Sequence, residues 1–168
     1  SMVMLQDKYY LFASMTGSVW VSEDMAHWDS YPLPENMPIY DYAPDVRAIG
    51  EYLYFTASNR DVKCSFYRTK DPIHGPYEEI PGYMDYWDPN LFQDDDGRLY
   101  FYWGCANATP IWGIELDPET MKPMGEKKEL IFGDPYHIGY ERFGEDHCEE
   151  PKSQAEIDAL FQKFIEQC

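Results

Sequence analysis

The chain has 168 residues and sets 13 Lys and Arg against 31 Asp and Glu, for a formal net charge of −18. Such a polyanion repels phosphate backbones and anionic lipid surfaces, which argues against nucleic-acid or membrane partners and favours a neutral or cationic one. Aromatic residues make up 17 % of the chain, including 15 Tyr and 5 Trp, which fits aromatic β-strands and also rings that stack on sugar faces while keeping a polar handle.

Ser1-Met2 reads as a remnant of cloning, which would hide any removed leader. No leader pattern or apolar run near the ~20 residues of a membrane span follows it, which fits a cytoplasmic setting. The first strand-like segment is Lys8-Tyr9-Tyr10-Leu11-Phe12-Ala13-Ser14, followed by a second apolar strand and an acidic turn at Asp24. The order repeats with Tyr52-Leu53-Tyr54-Phe55-Thr56-Ala57-Ser58 and the turn at Asp71-Pro72. It repeats again with Arg98-Leu99-Tyr100-Phe101-Tyr102-Trp103-Gly104 and the turn at Asp117-Pro118. Tyr10, Tyr54 and Tyr100 lie 44 and 46 residues apart, and the acidic turns 47 and 46 apart.

Two independent landmarks thus keep one period of ~40–50 residues, the mark of four-stranded propeller blades built from short aromatic and β-branched strands. Helical solenoids of similar period would need apolar residues every 3.6 positions, which these segments lack. The repeat predicts an all-β fold of about three four-stranded antiparallel blades over residues 3–146, near 3–40, 41–84 and 85–146. Asp94-Asp95-Asp96-Gly97 lacks the alternating ligands of a calcium loop and reads as an Asp-Gly hairpin turn.

Residues 147–168 read as an acidic linker and a helix. Ser153 and Glu156 form a capping box, and Ile157, Leu160, Phe161, Phe164 and Ile165 fall on one stripe. An isolated helix of this length is marginal, so the stripe should pack on something: the open edge of a sheet, or a second copy of the chain. Cys64, Cys105, Cys148 and Cys168 show no metal-ligand or redox spacing and read as reduced structural thiols. His27, His74, His137 and His147 share no ligand spacing either, so no metal or other cofactor is assigned.

Several segments resemble glycoside hydrolase family 43, the five-bladed propeller enzymes that cut arabinose- and xylose-containing plant polysaccharides. They are the strand Tyr9–Ser14, Val21–Trp28, Tyr42-Ala43-Pro44-Asp45-Val46, Trp87–Gly104 and Tyr140–Asp146, which occur in the family's order. Tyr42 stands where the family's Trp-Ala-Pro-Asp-Val opening has tryptophan. The resemblance therefore makes the fold a partial five-bladed propeller.

It also implies an inverting reaction with three acidic residues: a base on the first blade, an orienting and pKa-raising aspartate on the third, and a general acid on the fourth. Base and acid must stand ~6.5–9.5 Å apart to admit a water, while the third carboxylate acts on its neighbour by like-charge repulsion. Asp88 matches the third role. Counting back from Tyr10 by the offsets of Asp45 and Asp88 from their own tyrosines gives positions 1 and −2, so no base is expected in this chain. Glu149-Glu150-Pro151 is a faint echo of the acid motif, with the capped helix where a fourth aromatic strand should follow.

For substrate contacts the candidates are Tyr42, Trp87 and Trp103 as stacking rings, with Asp45 and Glu141 as polar contacts. Trp103 has core filling as its alternative, and Asp45 has a role tying down backbone amides. Two function classes follow. One is a glycosidase for arabinose- or xylose-type carbohydrate whose present chain turns over little by itself. The other is a non-catalytic sugar-binding or self-assembling partial propeller, forming a homo-oligomer through an open sheet edge or the C-terminal helix.

Overall fold

The protein is described as a computed structural model, in which residues 1–35, 37, 43–58, 63–105, 109–134, 137 and 153–167 are described. Twelve strands form three four-stranded antiparallel sheets. The first sheet is β1 (Met2–Leu5), β2 (Lys8–Phe12), β3 (Ser18–Ser22) and β4 (Asp29–Pro32). The second is β5 (Asp45–Ile49), β6 (Tyr52–Thr56), β7 (Phe66–Thr69) and β8 (Glu78–Ile80). The third is β9 (Asn90–Gln93), β10 (Leu99–Trp103), β11 (Ile111–Leu116) and β12 (Lys128–Ile131). Within each sheet the strands lie side by side in chain order.

The inner strands β1, β5 and β9 touch in succession, so the sheets fan about one axis as propeller blades. This is the partial propeller that the repeat predicts. Hairpin chemistry sets the first step of each blade. Gln6 and Asp7 turn β1 into β2 with φ of 51° and 61°, the left-handed pair that a two-residue turn between twisted strands requires. The third blade has a longer turn in which the Asp94 and Arg98 backbones pair and Gly97 takes φ 85°, the Asp-Gly hairpin read from the sequence.

Pairing fixes a common register. Val3 faces Tyr10, Arg47 faces Tyr54 and Phe92 faces Tyr100. One step earlier Met2 faces Leu11, Val46 faces Phe55 and Leu91 faces Phe101. Alternation then sends successive residues to opposite faces of each blade.

The core consequently lies between blades. Tyr10, Phe12 and Val19 of the first sheet pack on Val46, Leu53 and Phe55 of the second. Tyr54 and Phe66 of the second pack on Leu91, Leu99, Phe101 and Trp103 of the third. Phe101, 0 % exposed, meets Phe66 and Tyr86 edge to face at centroid distances of 5.3 and 4.7 Å. Burying one such ring stabilises the fold by ~1.5–3 kcal/mol.

The helix α1 (Gln154–Gln167) starts at the predicted box: the Ser153 amide donates to Glu156 Oε2 at 2.7 Å, and the Glu156 amide donates to Ser153 Oγ at 3.4 Å. Ile157, first of the apolar stripe, is 47 % exposed, so the expected cover over a sheet edge is not met at that residue. The side chains of Leu160, Phe161, Phe164 and Ile165 lie outside the described residues. Among the described residues no helix is long and apolar enough to cross a membrane.

Candidate functional site

All three inner strands begin at the same end of the axis, and the backbone leading into β5 and β9 carries the candidate residues. Trp87-Asp88-Pro89 leads into β9. Asp88 adopts φ 48° and its amide donates to Ser58 Oγ at 3.1 Å. Ser58 follows β6 and is fully buried. The Gly104 amide, just past β10, donates to the Trp87 carbonyl at 2.8 Å. The Asp88 backbone is therefore held from two blades, while its side chain and that of Trp87 remain exposed.

The same device precedes β5. Ala43 adopts φ 53° and its amide donates to Ser14 Oγ at 3.0 Å. Ala43-Pro44-Asp45-Val46 thus matches Asp88-Pro89-Asn90-Leu91 residue for residue, and the third blade carries a carboxylate where the second has a methyl group. The two serines were missed by the site reading. The signal that finds them is the Ala-Ser pair ending the first two strand segments, at 13–14 and 57–58.

Asp45 was read either as a substrate contact or as a tie for backbone amides; the structure places it between the blades, on an amide. It is 7 % exposed, Oδ2 accepts from the Leu91 amide at 2.7 Å, and Oδ1 accepts from Ser1 Oγ at 3.3 Å. Arg47 Nε donates to the Leu91 carbonyl beside it. Burial pushes its pKa up against the opposing pull of the Leu91 amide and of Arg47. With both oxygens engaged, Asp45 is an inter-blade fastener, and the amide it ties down belongs to the next blade's strand.

Trp103 is likewise corrected toward its alternative. It is 7 % exposed and stacks on Phe101 at 5.6 Å inside the core, so packing has claimed the ring faces. Trp87, 38 % exposed, is the stacking candidate that stands beside Asp88. Tyr42, Glu141 and Glu150 lie outside the described residues.

Other polar clusters have local work. His27 Nδ1 lies 2.8 Å from Asp24, His74 Nδ1 2.9 Å from Asp71 and His137 Nδ1 2.8 Å from Asp134. In the first of these turns the His27 ring and the amides of His27 and Ala26 hold Asp24 well below the usual carboxylate range. These exposed turns fasten loops by satisfying backbone donors. Among the described residues no group of three His, Cys, Asp or Glu is placed to hold a metal.

Comparison with known proteins places this architecture. The family model described as "Glycosyl hydrolases family 43" matches residues 1–142. A xylosidase/arabinosidase of Butyrivibrio fibrisolvens is 28 % identical over 142 residues, covering 68 % of this chain and 26 % of its own length. A putative beta-xylosidase of Escherichia coli is 39 % identical over 79 residues, covering 42 % of this chain and 15 % of its own.

Among solved structures, the Bacteroides ovatus "Xyloglucan PUL GH43B" aligns with TM-score 0.65 at 22 % identity over 83 % of this chain and 33 % of that one. An alpha-L-arabinofuranosidase of Clostridium thermocellum aligns with TM-score 0.62 at 18 % identity over 77 % of this chain and 54 % of that one. At these identities the structural likeness establishes the propeller fold. The matched stretch spans between about one seventh and one quarter of the two curated relatives.

Proposed function

The chain belongs to glycosyl hydrolases family 43, and from that premise we propose that it is part of a glycosidase for xylose- and arabinose-containing polysaccharides. Its contribution is one wall of the sugar site: Asp88 as the carboxylate that orients and raises the pKa of a neighbouring acid, and Trp87 as a stacking ring. The observation that carries this reading is the third blade's exposed carboxylate at a backbone position clamped from two blades. A rigid mount suits such a role, since a misplacement of about 1 Å can cost ~10²-fold in rate.

The reading extends to the activity of the 168-residue chain itself. By register, Ser1 holds the position of Asp45 and Asn90, because its backbone pairs with Phe12 as theirs do with Thr56 and Tyr102. The first-blade counterpart of Asp88 would therefore precede Ser1 by two residues. With only one of the three acidic roles assigned, and each acid–base group contributing ~10²–10⁴-fold to rate, this chain alone should hydrolyse 4-nitrophenyl xyloside or arabinofuranoside at a rate close to buffer. Robust release of 4-nitrophenol that disappears in Asp88→Asn would overturn the inactivity and retain the site. Robust release unaffected by Asp88→Asn would overturn the assignment of Asp88.

A further inference from the structure

The segment that joins the second blade to the third is tied to the second blade at alternate residues. The Gly82 amide donates to Ser65 Oγ at 3.3 Å, and a Cβ at Gly82 would sit 1.6 Å from the Cys64 carbonyl oxygen. The Cys64 amide donates to the Met84 carbonyl at 3.0 Å. The Tyr86 hydroxyl bonds Thr56 Oγ1, and the Asp88 amide bonds Ser58 Oγ. Gly82, Met84 and Tyr86 are accordingly half or fully buried, whereas Tyr83, Asp85 and Trp87 between and beyond them are exposed.

The Tyr86 tie has a defined direction. Thr56 Oγ1 lies 3.0 Å from the Ser65 carbonyl, which can only accept, so the single hydroxyl proton of the threonine is spent there. The Tyr86 phenol is therefore the donor to Thr56. Thr56 and Tyr86 are 1 % and 4 % exposed, and the Tyr86 ring is wedged 4.7 Å from Phe101 and 6.4 Å from Phe66. Two hydroxyls two residues apart at the end of β6, those of Thr56 and Ser58, thus hold the residues on either side of Trp87.

The joint between the first and second blades has only one of these ties. Ser14 holds the Ala43 amide as Ser58 holds that of Asp88. Two residues before Ser14, where Thr56 precedes Ser58, stands Phe12, which has no hydroxyl. The additional tie belongs to the joint whose segment ends in a carboxylate. We infer that Tyr86, through its hydrogen bond to Thr56, is a positioning residue of the sugar site, fixing the backbone from which Trp87 and Asp88 meet a xylose- or arabinose-type ring. This rests on the reading of Trp87 and Asp88 as sugar contacts. Without the anchor, part of the ordering of Trp87 falls to the sugar and is subtracted from its affinity.

Tyr86→Phe keeps the ring and deletes the hydroxyl, and Thr56→Val deletes the acceptor with little change of shape. In each, hydrogen exchange of the Asp88 amide, followed by NMR, should quicken ~10-fold. Affinity for methyl xyloside or methyl arabinofuranoside, read at the Trp87 indole, should fall ~3–10-fold, no more than one hydrogen bond contributes. Thr56→Ser, which keeps the hydroxyl, should match wild type in both measurements. Tyr77→Phe is the control for a purely structural role: the Tyr77 hydroxyl, also buried, donates to the Pro72 carbonyl at 2.8 Å, so its loss should lower stability and leave exchange and affinity unchanged. Affinity unchanged in Tyr86→Phe and Thr56→Val, lost in Thr56→Ser, or lost equally in Tyr77→Phe would overturn the positioning role and leave the sugar site standing. A wild-type chain that binds neither sugar would overturn the sugar site itself, and the positioning role with it.

Discussion

Asp88 adopts φ 48°, a left-handed conformation that glycine takes freely and that aspartate tolerates better than most residues with a Cβ, at a cost up to about 1 kcal/mol. The Ser58 hydroxyl offsets part of this by accepting the Asp88 amide. Ala43 takes the same conformation ahead of β5, so the strain belongs to the way a blade is entered, and the third blade is the one that carries a carboxylate there. Asp88→Gly should therefore raise the unfolding free energy by ~1 kcal/mol in urea denaturation while deleting the carboxylate. A destabilised glycine variant would mean that the Asp88 side chain contributes to the fold and that its conformation is not under strain.

Asp45 carries the opposite kind of cost, a buried carboxylate. Its pKa in the folded chain is raised, first by burial, so the folded state holds the proton more tightly than the unfolded one. Its favourable contribution is present at pH below the ordinary value of 3.8 and is lost as pH rises through the raised value. Asp45→Asn keeps an acceptor for the Leu91 amide and removes the charge. The stability of Asp45→Asn relative to wild type should accordingly increase as pH is raised from about 3.8 toward neutrality, measured by urea unfolding at each pH. A difference that stays flat or falls over that range would contradict the assignment. The place of Asp88 just ahead of an inner strand was legible in the sequence, because the repeat counts it from Tyr100. The role of Asp45 was not, because Ala-Pro-Asp reads the same whether the carboxylate faces a sugar or the amide of a neighbouring blade.

At the scale of elements, the strands were legible from the spacing of their tyrosines because each blade must alternate residues toward two neighbours. Phe101 and Phe92 show what that alternation decides. They lie on opposite faces of the third blade, at 0 % and 42 % exposure. Phe101→Ala should cost ~3–5 kcal/mol through lost burial and a cavity beside Phe66 and Tyr86. Phe92→Ala should stay within ~0.5 kcal/mol in the monomer. Similar losses at the two positions, by chemical denaturation in dilute solution, would refute the face assignment. Trp103 was ambiguous in sequence because a tryptophan closing an aromatic strand serves either stacking or filling, and only packing against Phe101 separates the two. The helix start was legible from the reciprocal Ser153 and Glu156 bonds, whereas a stripe of apolar residues says that a partner is wanted without saying which.

At the scale of the whole molecule, periodicity does two things at once. It fixes the architecture as successive blades about an axis, and it brings the start of every inner strand to one end, where Trp87 and Asp88 stand together. The sugar site proposed there is the central claim. Its most direct test is a titration of the isotopically labelled chain with methyl xyloside and methyl arabinofuranoside, followed by amide and indole NMR shifts. The account predicts that shifts concentrate on Trp87, Asp88 and Ser58 and vanish in Trp87→Ala. Shifts confined to the outer strands β4, β8 and β12, or none at saturating sugar, would contradict it.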